Sequence, residues 1–139
     1  MGEEEARFGR LRRRSEFLAA AKGQRLNARG FSLQALQRGP EGDPRFGLTV
    51  AKKTGNAVER ARIRRRLKEA IRTAEALPVR EGHDYVLVAR REALTIPFIE
   101  LSAEIGRALA AIATKPKRRE PQRAEERSQP DAMKSADRL

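Results

Sequence analysis

The sequence predicts one α+β domain, from three observations. Two segments alternate apolar and polar residues at the period of a strand. Two longer segments repeat apolar residues at the period of a helix. A short apolar run lies between those helical segments. The order is helix, two strands, helix, strand, helix. At 139 residues the chain has room for one such core, not comfortably for two.

Residues 1–14 read as a flexible basic lead-in. Glu3 to Glu5 are followed by five arginines, with Phe8 and Leu11 the only sizeable apolar side chains. The folded domain is expected over residues 15–114. Ser15 can cap a helix over Glu16 to Lys22 anchored by Phe17, with Gly23 at its end. Residues 29–37 place Phe31, Leu33 and Ala35 on one face, and residues 45–51 do the same with Phe46, Leu48 and Val50. The Gly39–Pro44 turn cluster between them predicts an antiparallel hairpin.

Asn56, with Glu59 three residues on, is a capping-box start for a helix from Ala57 to about Ala76. Ile63, Leu67, Ala70, Ile71 and Ala74 share one arc of about 100° on it, and Pro78 lies beyond. Asp84 to Arg90 reads as a buried strand, with His83 in the loop before it. Thr95 and Pro97 open a last helix to Thr114, striped by Phe98, Leu101, Ile105, Leu109 and Ile112. Residues 115–139 hold almost no large apolar side chain and are expected to be a disordered charged tail.

Composition narrows the function. Thirty-one Lys and Arg face 19 Asp and Glu, a net charge of +12. That balance favours a polyanionic partner. There is no cysteine and a single histidine, so thiolate zinc sites, cysteine nucleophiles and paired-histidine chemistry are excluded. No metal-ligand cluster or nucleophile–base pair stands out. No apolar run approaches the length of a membrane span, and the acidic N-terminus is unlike a secretory signal. A soluble cytoplasmic protein is expected.

The sharpest signal is Lys52 to Arg72, with nine basic and two acidic residues. From Arg60 to Arg66 there are five arginines and no acid. A solvated helix face mixes charge signs; this one does not, and a polyanion relieves the repulsion. Arginine favours bidentate phosphate contacts and base stacking, which suits folded RNA. Lys52-Lys-Thr-Gly-Asn56 leads into a helix N-terminus, where free amides attract phosphate, but it lacks P-loop spacing. Phe17 and Phe31 are core candidates; at an open sheet face either could stack an unpaired base.

The stretch Lys52-Lys-Thr-Gly-Asn-Ala-Val-Glu-Arg-Ala-Arg-Ile-Arg-Arg-Arg-Leu-Lys68 closely resembles the signature of the bacterial ribonuclease P protein component. The likeness extends outward to Arg10–Phe17, Arg45–Val50 and Asp84–Arg90, covering about residues 10–114. It implies a compact α–β sandwich of three helices on a central sheet of about four strands, with a left-handed βαβ crossover. It also implies the small subunit of an endoribonuclease that removes the 5′ leader of precursor tRNA. In that family the RNA subunit performs hydrolysis with Mg2+, which it mainly binds. The implied partners are ribonuclease P RNA and precursor tRNA, with no membrane and no stable protein partner.

Carried over by position, Lys52, Lys53, Asn56, Arg60, Arg62, Arg64 and Arg65 match the RNA-subunit-binding signature, with Arg66 and Lys68 beside them. Phe17, Phe31 and Arg12 fall at the leader-binding cleft. Ala61 stands where the family usually has Asn, Arg64 where Lys is usual, and Ala21 and Gln34 where aromatics are common. The alternative is a basic structural RNA-binding or RNA-chaperone protein of ribosomal type.

Overall fold

A computed structural model of the chain describes residues 8–74 and 76–114. The expected tail over residues 115–139 lies outside the described residues, as does the start of the lead-in. The elements are β1 (Gly9–Arg10), α1 (Arg14–Ala21), β2 (Gln24–Ala28), β3 (Phe31–Gln37), β4 (Arg45–Thr49), α2 (Ala57–Thr73), β5 (His83–Ala89) and α3 (Phe98–Thr114). Short 3-10 turns at Lys52–Thr54 and Arg91–Leu94 lead into α2 and follow β5.

The five strands form one sheet in the order β1-β4-β5-β3-β2. β5 pairs parallel with β4 and antiparallel with β3. The hairpin expected between β3 and β4 is therefore not formed, because β5 sits between them. Its run His83-Asp-Tyr-Val-Leu-Val-Ala89 is buried on nearly every residue, as befits a strand covered on both faces. The hairpin that does form joins β2 to β3 through Arg29 and Gly30. Gly30 takes a φ of 93°, a left-handed conformation that costs glycine least. β2 escaped the sequence pattern because it is a half-exposed edge strand with one large apolar residue, Leu26.

One face of the sheet carries the main core. Phe31, Leu33, Tyr85 and Leu87 pack under Ile63 and Leu67 of α2 and Leu101, Ile105, Leu109 and Ile112 of α3. Both helical stripes match expectation except at two ends: α2 stops at Thr73, so Ala74 is an extended, half-buried residue beyond it, and Phe98 stays 38% exposed. The other face is covered more thinly by α1, where Leu11, Ala20 and Val86 form a small cluster with Phe17, Leu36 and Val88 against it.

Three local expectations are corrected. Residues 8–14 belong to the fold: β1 pairs with β4, Leu11 is buried and the Phe8 ring meets Phe46 edge-on at 5.2 Å. Helix α1 is not capped by Ser15. It starts at Arg14, and Glu16 reaches back to accept the backbone N–H groups of Arg12 and Arg13 at 2.8 and 3.0 Å. His83 is a buried strand residue stacked on Tyr85, with Nδ1 2.9 Å from the Glu81 carbonyl oxygen.

Candidate nucleic-acid interface

Helix α2 starts as its sequence dictates. The Asn56 side chain accepts the Glu59 N–H at 2.8 Å, and the Glu59 carboxylate accepts the Asn56 N–H at 2.9 Å. Arg91 adds a two-point contact to Glu59 at 3.0 and 2.8 Å and donates to the Thr54 carbonyl. These bonds, the one from Arg91 foremost, lower the Glu59 pKa to about 2. The basic turn is thereby tied to the helix, and Lys52 and Lys53 project into solvent. Asn56 is occupied as a cap, so its side chain orders the turn.

The arginines of α2 divide into two sets. Ile63, Leu67, Ala70 and Ile71 are buried against the sheet. Arg62, Arg64, Arg65 and Lys68 lie exposed, with no acidic partner among the described residues. Ala61 is exposed among them. Arg60 and Arg66 instead flank the buried stripe and serve the fold. Arg60 donates to the Gly55 carbonyl at 3.0 Å. Arg66 donates to the carbonyls of Ala93, at 2.6 Å, and Ile96. Arg66, expected at the RNA surface, is thus a clamp between α2 and the turn before α3.

Across the sheet, Phe17 of α1 rests on Gly47 of β4. A Cβ at Gly47 would lie 2.6 Å from the Phe17 ring and 2.9 Å from the Leu11 side chain, so the close seat of Phe17 requires glycine there. Phe17 keeps partial exposure and lines a cleft of about 500 Å³. The cleft runs along the β1–β4 edge, past Phe8, Arg10 and Leu48, to Arg64 and Lys68 of α2. It therefore joins an accessible aromatic ring to the unpaired cations. Arg12 is exposed at the start of α1.

Phe31 does not belong to this site. It has no exposed surface and packs in the main core beneath α2 and α3. Its neighbours in register are Ala28 and Ala89, on the face opposite Phe17. The alternation that marked it as a strand residue left its face open; burial decides against base stacking.

Sequence reasoning missed what holds α1 in place. Asp84 is buried on β5 and accepts two hydrogen bonds from Arg45, both at 2.8 Å, and one from Arg38 at 2.7 Å. Arg45 also reaches Glu16 at 3.4 Å. The bond to Asp84 is the main reason the Arg45 pKa is raised. The N–H groups of Arg13 and Arg12 hold the Glu16 carboxyl below its usual range. One network thus runs from the centre of the sheet to the residue before Phe17. Arg45 and Arg38 are 39 and 46 positions from Asp84, so no local pattern announces the contact.

The profile of the Ribonuclease P family matches residues 6–113. The Ribonuclease P protein component of Brucella suis is 46% identical over 110 residues, spanning 73% of this chain and 78% of that protein. The Ribonuclease P protein component of Caulobacter vibrioides is 42% identical over 109 residues, 77% of this chain and 72% of that protein. Among solved structures, the RNase P protein from Thermotoga maritima superposes with a TM-score of 0.62 at 25% identity, covering 74% of this chain and 96% of that one.

Proposed function

The chain belongs to the ribonuclease P protein family, and from that premise we propose that the outer face of α2 docks on the RNA subunit while the Phe17 cleft holds the 5′ leader of precursor tRNA. Members of the family are subunits of the ribonucleoprotein that processes the 5′ end of tRNA, an endoribonuclease acting on precursor tRNA. A catalytic RNA subunit is part of that enzyme, and association with it follows from membership.

The observation that carries the finer reading is the continuity of the cleft. An accessible ring at Phe17 offers a stacking platform for an unpaired base. Arg64 and Lys68 at the other end of the cleft, with Arg62 and Arg65 elsewhere on the exposed surface of α2 and Lys52 and Lys53 on the turn before it, offer cations to phosphates. Leader and RNA subunit can therefore be held by one protein on adjoining surfaces. The fixed positions of the backbone and Phe17 hold the substrate in place; the bond cleavage is left to the RNA subunit. The reading assigns Mg2+ to the RNA subunit, whose phosphates suit a hard cation that prefers oxygen ligands. No helix among the described residues is long and apolar enough to cross a membrane. Membership of the family is what supports the cytoplasm as the place of action.

Reconstitution tests this. RNA-free protein is mixed with a bacterial ribonuclease P RNA and a precursor tRNA at low Mg2+, where the RNA alone is nearly silent. Restored 5′ cleavage, none from the protein alone, and tighter binding of precursor than of mature tRNA are expected. Tight RNA binding without stimulated cleavage would overturn the reading in favour of a structural RNA-binding module.

A further inference from the structure

Glu59 is out of keeping with the surface it occupies. From Lys52 to Lys68 it is the single acidic residue among eight cations. Beside a face that binds a polyanion, a carboxylate weakens binding by repulsion. Its capping bond to the Asn56 N–H does not need the charge, since a neutral glutamine closes the same capping box. What does need the charge is Arg91.

The Arg91 guanidinium reaches Glu59 from the turn after β5, 32 positions on. It meets both carboxylate oxygens, at 3.0 and 2.8 Å, and its Nη1 also donates to the Thr54 carbonyl at 3.1 Å. Thr54 is buried and ends the 3-10 turn that carries Lys52 and Lys53. The base from which Arg91 reaches is itself fixed, because Arg66 holds the carbonyls of Ala93 and Ile96 to α2. Gly55 leaves room for the pair: a Cβ there would stand 2.6 Å from Glu59 Oε1 and 3.0 Å from Arg91 Nη1. Its φ of 169° is ordinary extended backbone. The demand for glycine in Lys52-Lys-Thr-Gly-Asn56 therefore comes from this close approach.

We infer that Glu59, through Arg91, is a positioning residue for the Lys52–Thr54 turn, so that an acid within the basic surface strengthens its hold on the RNA subunit. The inference rests on the docking of that surface proposed above. Carboxylate and guanidinium cancel each other at contact, so the pair repels phosphates little. The order it imposes spares the two lysines the entropy of being arranged on binding.

The test measures binding of the full-length protein to a bacterial ribonuclease P RNA at one fixed salt concentration. Glu59→Gln keeps the cap, removes the ion pair and makes the protein more positive. Charge alone predicts tighter RNA binding. Positioning predicts the opposite sign: a dissociation constant raised about fivefold, the scale of coupling within one hydrogen-bonded network. The melting temperature should stay near that of wild type, because the Arg91 side chain is 60% exposed and exposed ion pairs add little stability. Gly55→Ala is the second variant. It changes no charge and should bring a similar loss by displacing the pair. In a background of Lys52→Ala with Lys53→Ala both losses should vanish, because the lysines are what the pair positions. Unchanged or tighter binding in Glu59→Gln would overturn the proposal, as would a loss that persists without the two lysines. If removing both lysines leaves the affinity of the otherwise wild-type protein intact, the docking reading beneath the proposal falls instead.

Discussion

The two faces of the central sheet are built on different terms. The face under α2 and α3 is closed by a continuous apolar core in which Leu33, Ile63, Leu67, Leu87, Leu101, Ile105 and Leu109 are all but fully buried. The face under α1 has a cluster of three buried residues, a glycine in place of a side chain at position 47 and an ion-pair network. The first face stores stability. The second gives up apolar contact and keeps polar groups and an accessible ring where a ligand can meet them. On the proposed reading, burial more than residue type separates folding from binding residues here: Phe31 and Phe17 are chemically alike, but Phe31 has no exposed surface and Phe17 keeps some.

The largest expected effect breaks the closed face. Leu67→Ala removes a fully buried side chain between α2 and the sheet. It should cost about 2–5 kcal/mol of unfolding free energy by chemical denaturation, as large-to-small core changes do. A loss under about 1 kcal/mol would mean that the core collapses around the void and is less closed than its burial indicates.

Asp84→Ala probes the ion-pair network on the α1 face. It leaves Arg38 and Arg45 without their carboxylate. Breaking a buried pair costs about 3–5 kcal/mol; the arginines keep water contact, with side chains 24% and 28% exposed, so about 3 kcal/mol is expected. Precursor binding by the holoenzyme should fall beyond what stability explains, because the Glu16 end of the network lies beside Phe17. Unchanged binding at a temperature where the variant is folded would sever the network from the cleft.

Phe17→Ala sharpens the contrast with Phe31. Precursor tRNA affinity should weaken by roughly 1–3 kcal/mol, the worth of one stacked base, while mature tRNA affinity holds. If the protein unfolds instead, Phe17 is a core residue and the two phenylalanines are equivalent after all.

Most of the closed face was legible in the sequence, because its determinants are local. The stripe of α2, its Asn56–Glu59 cap and the doubly buried run of β5 each follow from spacing within one segment. Strand order was not legible. The Gly39–Pro44 turns invited a hairpin, and only the doubly apolar character of β5 hinted that it would take the centre. β1 and β2 were invisible as a two-residue pair and a sparse edge strand. The basic surface was legible as charge but not as division of labour. Helical phase puts Arg66 and Arg60 on the flanks of the apolar stripe, yet the carbonyls of Ala93, Ile96 and Gly55 that claim them come from chain turns whose positions no pattern in α2 encodes. The Asp84 network was illegible for the same reason.

That division of labour gives the smallest and most selective prediction. Arg65 is exposed on α2 with no partner among the described residues, whereas Arg66 spends its guanidinium on two backbone carbonyls. Arg65→Ala should barely move stability, within about 0.5 kcal/mol for an exposed position. It should lower the slope of log affinity for the RNA subunit against log salt by about one, the signature of one lost phosphate contact. Arg66→Ala should do the reverse: a lower melting temperature, because two buried-side carbonyls lose their donor, and an unchanged slope. Equal slopes in both variants would erase the distinction between the arginines that face solvent and those that brace the fold. A slope change confined to Arg66 would return it to the RNA surface and make its carbonyl contacts a resting arrangement that RNA displaces.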